Sequence, residues 1–356
     1  MKRDVERVRG LLTTANDPAG LVEPARAALP SQAEHTLRAL RSNRRPRRVH
    51  LGRRRLLAGA AIVGVGTALA VGGRNLLPNS DVVAPVAYTP PVLSLVPVEG
   101  QSAREFLLAF ARRVERLEPE AAQGAYQYSK TWGWWLNTAG DVPGGVANAA
   151  VPTVTESWVG KDHSGRRRSA FGEPIYPSPA QRKEAEEAGL VAGTGVEDRT
   201  FGPGKFPSPE GGDWGAVAPF ATDPAELAQQ LAKMNWEGGM IIYGVNDLLG
   251  YVARSGPVDP RLRAAALRVL AGSSGVAVAT TTTWNGRDVI AVSQNEMLDG
   301  STQRESVLFD PETGYPVGTE SALFGHARRL NVSVPATLSV SETLERGSVS
   351  TIDRRP

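Results

Sequence analysis

Apolar positions divide this chain into stretches with different periods. From Leu56 to Gly73 the sequence LLAGAAIVGVGTALAVGG contains no charged residue. As a helix rising ~1.5 Å per residue it is roughly 27 Å long, close to the ~30 Å hydrocarbon core of a bilayer, so it reads as one membrane span. In residues 1–55, Val5, Val8, Leu11 and Leu12 fall on one helical face, and Leu37 and Leu40 mark a second short segment. Asp17-Pro18 and Gly20 separate the two. So few apolar positions cannot bury a core alone, which predicts an arm that folds against a partner or stays unfolded. Residues 74–100 carry five prolines and no helical period, the pattern of a semi-extended spacer.

Regular periods begin after residue 100. Ser102 and Glu105 have capping-box spacing, and Phe106, Phe110, Val114 and Leu117 form one stripe, predicting a helix over 103–118. In GAYQYSKTWGWWLNT, Tyr126, Tyr128, Trp132 and Trp134 alternate along one side of a strand, with Trp135 opposite. Strands are expected at 153–159 and 167–171, joined by a polar turn. Residues 172–221 read as an irregular excursion rich in proline and glycine, with one short charged helix in QRKEAEEAG.

Asp223-Pro224 and Asp259-Pro260 each open a helix with a capping acid and a proline at its first position, and Ile241, Val245, Leu248 and Val252 mark another between them. From Val276 the period becomes two. Strands at 276–283 and 287–294 flank Asn285-Gly286, a strong hairpin signal, and more strands follow at 303–309, 315–324 and within 330–350. Strands on both sides of a central group of helices predict an α+β domain over 101–350 with an antiparallel sheet, leaving 351–356 as a tail.

Charge sets the orientation. Eight arginines and no acid lie between Arg41 and Arg55, whereas Arg74 is the one basic residue from 74 to 100. The positive flank stays in the cytoplasm, which makes residues 1–55 a basic cytoplasmic arm and 101–350 extracytoplasmic. The arm holds fourteen Lys/Arg against five Asp/Glu, and the remainder is net acidic. An anionic leaflet accounts for that contrast; nucleic acid ranks low because no aromatic residue interleaves the arginines. An alternative is a twin-arginine-like export signal, Arg53-Arg54 then Leu56-Leu57, cleaved after Ala70. Against it, about 50 residues precede the arginines. Ala60, Gly64, Ala68 and Gly72 form a small-residue stripe on which two spans of a homodimer would pack.

Candidate chemistry is sparse. With no cysteine, disulfides, thiolate metal sites and cysteine nucleophiles are excluded. His163 and His326 are the two histidines beyond the span, far apart and without a carboxylate pattern of metal-site type. Serine-nucleophile and phosphate-loop motifs are missing, so neither enzyme chemistry, a metal nor a cofactor is expected. The ring row Tyr126, Tyr128, Trp132 and Trp134 is the one tentative ligand contact; packing of a sheet face explains the same residues.

The segments EPARAAL (Glu23 to Leu29), DPRLRAAALRVLAGSSGV (Asp259 to Val276), WNGRDVIAV (Trp284 to Val292) and VLFDPETGYPVGTES (Val307 to Ser321) resemble a family of actinobacterial single-pass membrane proteins, mostly uncharacterised. Their genes often lie beside that of an extracytoplasmic-function sigma factor. The resemblance implies an anti-sigma-like regulator whose inner arm binds a sigma factor or another cytoplasmic protein and whose outer domain senses the envelope. The zinc-binding anti-sigma signature, which needs cysteines, is absent, so contact falls to Val5, Val8, Leu11, Leu12, Leu37 and Leu40. The pattern is also similar to the half-barrel of periplasmic lipoprotein carriers, a likeness of fold that carries no activity with it; the alternative reading, resting on the ring row, is an envelope module binding an apolar or lipid-like ligand.

The lack of native cysteines makes the topology directly testable. In intact cells a membrane-impermeant maleimide is expected to label Gln101→Cys and to spare Ser42→Cys; the reverse pattern would contradict the orientation.

Overall fold

The computed structural model describes residues 87–356 apart from 122, 143–144, 192–194, 208–218, 234–239, 255, 299–300 and 328–329. The arm, the span 56–73 with Ala60, Gly64, Ala68 and Gly72, and residues 74–86 lie outside the described residues. Among the described residues no helix is long and apolar enough to cross a membrane.

The fold is α+β, with eleven strands in one open antiparallel sheet and five helices among the described residues. The strands are β1 (Val96–Pro97), β2 (Tyr126–Val142), β3 (Gly145–Ala150), β4 (Thr153–Gly160), β5 (Gly165–Phe171), β6 (Gly195–Phe201), β7 (Val276–Thr282), β8 (Asp288–Leu298), β9 (Ser301–Phe309), β10 (Pro316–Phe324) and β11 (Ala336–Val349). The helices are α1 (Ala103–Glu115), α2 (Pro179–Glu187), α3 (Pro224–Lys233), α4 (Ile241–Ala253) and α5 (Pro260–Gly272). Strand order is β1-β7-β8-β9-β10-β11-β2-β4-β5-β6. β3 and β4 both run back along the long β2, interrupted at Val151-Pro152. The proline has no N–H to give a ladder there.

The local signals act as the sequence implies. Ser102 and Glu105 close a reciprocal capping box at α1, and the Asp259 side chain accepts from the Arg261 N–H at the start of α5. α1 ends at Glu115, one turn earlier than its apolar stripe suggests, because the following Glu118-Pro119 disfavours further helix. Gly286, in the β7–β8 hairpin, and Gly314, in the β9–β10 turn, both have positive φ. At Gly314 a Cβ would also stand 2.7 Å from Val114 Cγ2, so this turn fits against α1 only without a side chain.

The sheet has two different faces. On the inner one, Val278, Ile290, Val292, Val307 and Phe309 pack against α1, α3, α4 and α5 in the principal core. On the outer one, Val289, Ala291, Leu308 and Val317 meet Leu93 and Leu95, and further along Tyr128, Trp158 and Val349 meet Ile352. Both flanking segments are therefore straps over the outer face. Within the described residues, the end of the proline-rich spacer and the 351–356 tail both pack on the sheet. The Leu93 N–H donates to Glu320 at 2.7 Å, and its carbonyl accepts from Arg304 at 3.1 Å. Burial pushes the Glu320 carboxyl up, opposed by the Leu93 N–H and Arg304.

Beside the apolar core, a cluster around Tyr315 also joins helices to sheet. Tyr315, 2% exposed, carries the guanidinium of Arg263 at 4.1 Å and that of Arg346 at 3.2 Å from its ring centroid. The Tyr315 hydroxyl accepts from the Val258 N–H at 2.8 Å, Arg263 donates to the Thr313 carbonyl at 2.7 Å, and Glu120 lies 3.7 and 3.6 Å from the two guanidiniums.

If the strap is part of the fold, Leu93→Ala in the full chain costs about 2–4 kcal/mol by denaturant unfolding, since Leu93 is 7% exposed. A change within about 0.5 kcal/mol would mean that it is only a spacer.

Candidate functional site

α4 has one apolar face, with Ile242, Val245, Leu248 and Leu249 in the core. Its other face, through Asn246, Asp247, Gly250 and Arg254, looks across a gap at the inner surface of the central strands. The opposite wall carries Gln127, Ser129 and Thr131 from β2, Thr319 from β10, and Ser341 and Thr343 from β11. Alternation explains the composition: the same strands turn Tyr128, Trp132 and Trp134 to the other side and leave their hydroxyl positions facing inward. The gap is a cavity of about 390 Å³, within the size range of small-molecule sites. A second cavity of about 440 Å³, lined by Glu120, Gln123, Gly256 and Ser348, adjoins it through Gln127, Ala253 and Arg346.

The charges around the cavity are held by partners within the fold. Arg287 Nη2 lies 3.0 Å from Asp310, Lys130 lies 3.7 Å from Glu345, and Arg346 is held by Glu120 and Tyr315. Arg254 donates to the Pro207 carbonyl at 2.9 Å. Burial pushes its guanidinium down to about 10, with Asp247 working against the shift and Arg167 adding to it, so it stays charged at neutral pH. At the first turn of α4 the Tyr243 hydroxyl donates to the buried Glu305, which also accepts from Gln303 Nε2 and from Ser321 Oγ at 2.8 Å. Gaps between a helix and a sheet are ordinarily filled with close-packed apolar side chains. Here serine, threonine and charged side chains, together with Val159, Val317 and Leu344, border space that water or a ligand can enter.

The rings of the predicted row pack elsewhere, although Tyr128 is also among the residues that border the cavity. Tyr126, Tyr128, Trp132 and Trp134 share one face as expected, but it is the outer face, opposite the cavity wall. Trp132 and Trp134 are 3% and 2% exposed among Val154, Val340 and Ala336, and Trp132 pairs with Trp284 at 6.2 Å. Tyr128 is fully buried 5.2 Å from the Trp158 ring, and Tyr126 is half-buried beside them. These side chains occupy packed core in the present arrangement, because the straps and the Trp284 turn cover the sheet where the rings emerge. His163 stacks on Tyr251 of α4 at 6.0 Å, and His326 is far from it in the fold's connectivity, after β10. Among the described residues no group of three or more His, Asp or Glu could hold a metal ion.

Sequence reasoning missed the cavity. Its signals were Asn246-Asp247 inside the otherwise apolar α4 and the every-second-residue hydroxyls Ser129/Thr131 and Ser339/Ser341/Thr343, which the neighbouring tryptophans overshadowed.

No family model and no curated protein matches this chain. Among solved structures it is similar to a domain described as an outer membrane lipoprotein-sorting protein from Vibrio parahaemolyticus. The two share 10% identity over 68% of this chain and 92% of that one, with a TM-score of 0.17. A likeness of that degree carries no argument about function.

One carboxylate beneath the outer rings gives a pH test. Glu156, 3% exposed, accepts from Tyr128 at 2.8 Å, from Arg168 at 3.2 Å and from both Nε and Nη2 of Arg355. Burial pushes its carboxyl up, but the hydrogen bonds from Arg355, Tyr128 and Arg168 outweigh it and leave the group below its ordinary 4.5. A lowered carboxyl stabilises the fold above its unfolded value and loses that contribution as pH falls through the folded one. Glu156→Gln is therefore expected to cost about 1–3 kcal/mol at pH 7, with the gap from wild type closing below pH 4.5. A gap independent of pH would contradict this role.

Proposed function

We propose that this chain is a single-pass, anti-sigma-like membrane regulator whose extracytoplasmic α+β domain receives a small polar ligand in the cavity between α4 and the sheet. In this reading the sheet wraps the helices as a half-barrel, and the basic arm holds a cytoplasmic partner through Val5, Val8, Leu11, Leu12, Leu37 and Leu40. The observation that supports it best is the pairing of the polar stripe Asn246, Asp247, Gly250 and Arg254 with the hydroxyl-bearing wall of β2, β10 and β11. Polar residues on both sides of a helix–sheet gap sacrifice packing, which a binding site explains and a purely structural layer does not. The charged groups are engaged with one another, which favours binding over acid–base chemistry at this place.

The alternative, an envelope module for an apolar or lipid-like ligand, draws less support. Such a ligand would meet Ser129, Thr131, Ser341 and Thr343 and leave their hydroxyls without water. The rings first considered for it stand on the covered face.

The regulator reading is tested by affinity capture of the full chain, detergent-solubilised from host membranes, with bound proteins identified by mass spectrometry at a salt concentration that screens the arginines. A cytoplasmic regulatory protein is expected with the wild type and not with Val8→Asp/Leu11→Asp. Equal capture by both would contradict a role for that face.

A further inference from the structure

We infer that the ligand of the α4 cavity is an uncharged, hydroxyl-rich small molecule of the sugar or cyclitol class, an inference that rests on the cavity being a binding site. The lining sets which ligand chemistry the cavity can take. Its charged side chains are three acids, Asp247, Asp310 and Glu345, and three arginines, Arg254, Arg287 and Arg346. Arg287 faces Asp310 at 3.0 Å, Arg346 has Glu120 and the Tyr315 ring, Glu345 has Lys130, and Arg254 donates to the Pro207 carbonyl at 2.9 Å. A phosphate or carboxylate ligand would have to take an arginine from one of these partners, and an ammonium ligand would have to take an acid. Neither finds the free bidentate fork or open carboxylate that recognises such groups.

Hydroxyls remain. Thr319 Oγ1 and Ser341 Oγ lie 3.0 Å apart, while Ser129, Thr131 and Thr343 have no side-chain hydrogen bond among the described residues. All five line the cavity and are half-buried, so they exchange water for a ligand without breaking the fold. A serine or threonine hydroxyl turns to donate or accept, and the groups that best match a field of such hydroxyls are other hydroxyls. The columns stand on neighbouring strands ~4.8 Å apart, a spacing that lets one small ring bridge two of them. Asn246 Nδ2 donates to Asp247 at 3.2 Å and Gln127 Nε2 to Ser348 Oγ at 2.6 Å, which leaves the two amide oxygens as acceptors at the edges.

The test uses the full chain in phosphatidylcholine nanodiscs and isothermal titration calorimetry. The probes are glucose, maltose and myo-inositol, with gluconate and inorganic phosphate as charged comparators. Saturable binding of a neutral probe is expected, unchanged between low and high salt. It should weaken about tenfold in Thr131→Val/Thr343→Val, which removes two hydroxyls at constant shape. Ser341→Ala serves as a second variant should the double one fail to fold, and should weaken binding in the same direction. Neutral binding indifferent to these substitutions would overturn the assignment. Binding of gluconate or phosphate that the substitutions weaken would overturn the ligand class and leave the cavity standing as a site. Binding of none of the five probes would overturn the class and remove support from the cavity as well.

Discussion

The structure depends on the ring of Tyr315 held between two arginines from distant parts of the chain. Arg263 comes from α5, Arg346 from the bulged middle of β11, and Tyr315 itself from the turn that starts β10. Arg263 is 1% exposed, and an isolated charge so placed would cost several kcal/mol. The π face of Tyr315, the Thr313 carbonyl and Glu120 offset that cost together. Because the Tyr315 hydroxyl also accepts from Val258 just before α5, the cluster fixes where the helix layer begins relative to the sheet. The cavity walls inherit their separation from it: Tyr315 and Arg346 line the cavity, and α4 leads into the segment that carries Val258.

The two faces of the sheet divide the labour. The inner face is apolar where it meets the helix core, including one face of α4, and carries hydroxyls where the other face of α4 stands off from it, so the helix layer is packed at one side and open at the other. The outer face is covered by chain segments instead of helices. The strap through Leu93 is anchored on Glu320 and Arg304, and the segment after β11 is anchored on Glu156 and on Trp158, whose Nε1 donates to the Arg354 carbonyl. A segment leading from a membrane into this domain would thus be docked across the back of the sheet that carries the cavity wall. That arrangement gives a change in the cavity a short physical route to the strap, through β10, whose Thr319 faces inward and whose Glu320 faces the strap.

Short-range chemistry was legible in the sequence. The Ser102/Glu105 box, the Asp-Pro openings of α3 and α5 and the Asn285-Gly286 hairpin all sit where their spacing puts them, because each is decided by contacts within a few residues. β6 was not legible: GVEDRTF is an edge strand with charges on both sides, so it lacks apolar alternation and is specified by pairings such as Arg166 with Asp198. The straps were hidden for a similar reason. Leu93 and Leu95 sit among prolines, and the partner that anchors them, Glu320, is 227 residues away. The ring row was read correctly as one face of a strand, but which face is covered depends on segments whose return path no local pattern encodes.

The central claim is that the gap beside α4 holds a ligand and is not a packing defect. Gly250 allows a direct measurement, since it lines the cavity and a Cβ there meets nothing within 4 Å. The measurement is mass spectrometry of small molecules released on denaturing the full chain purified from its native host, wild type against Gly250→Trp. The account predicts a polar molecule released in near-stoichiometric amount from the wild type and lost from an equally well folded Gly250→Trp. Equal release from both proteins, or none from the wild type, would contradict it.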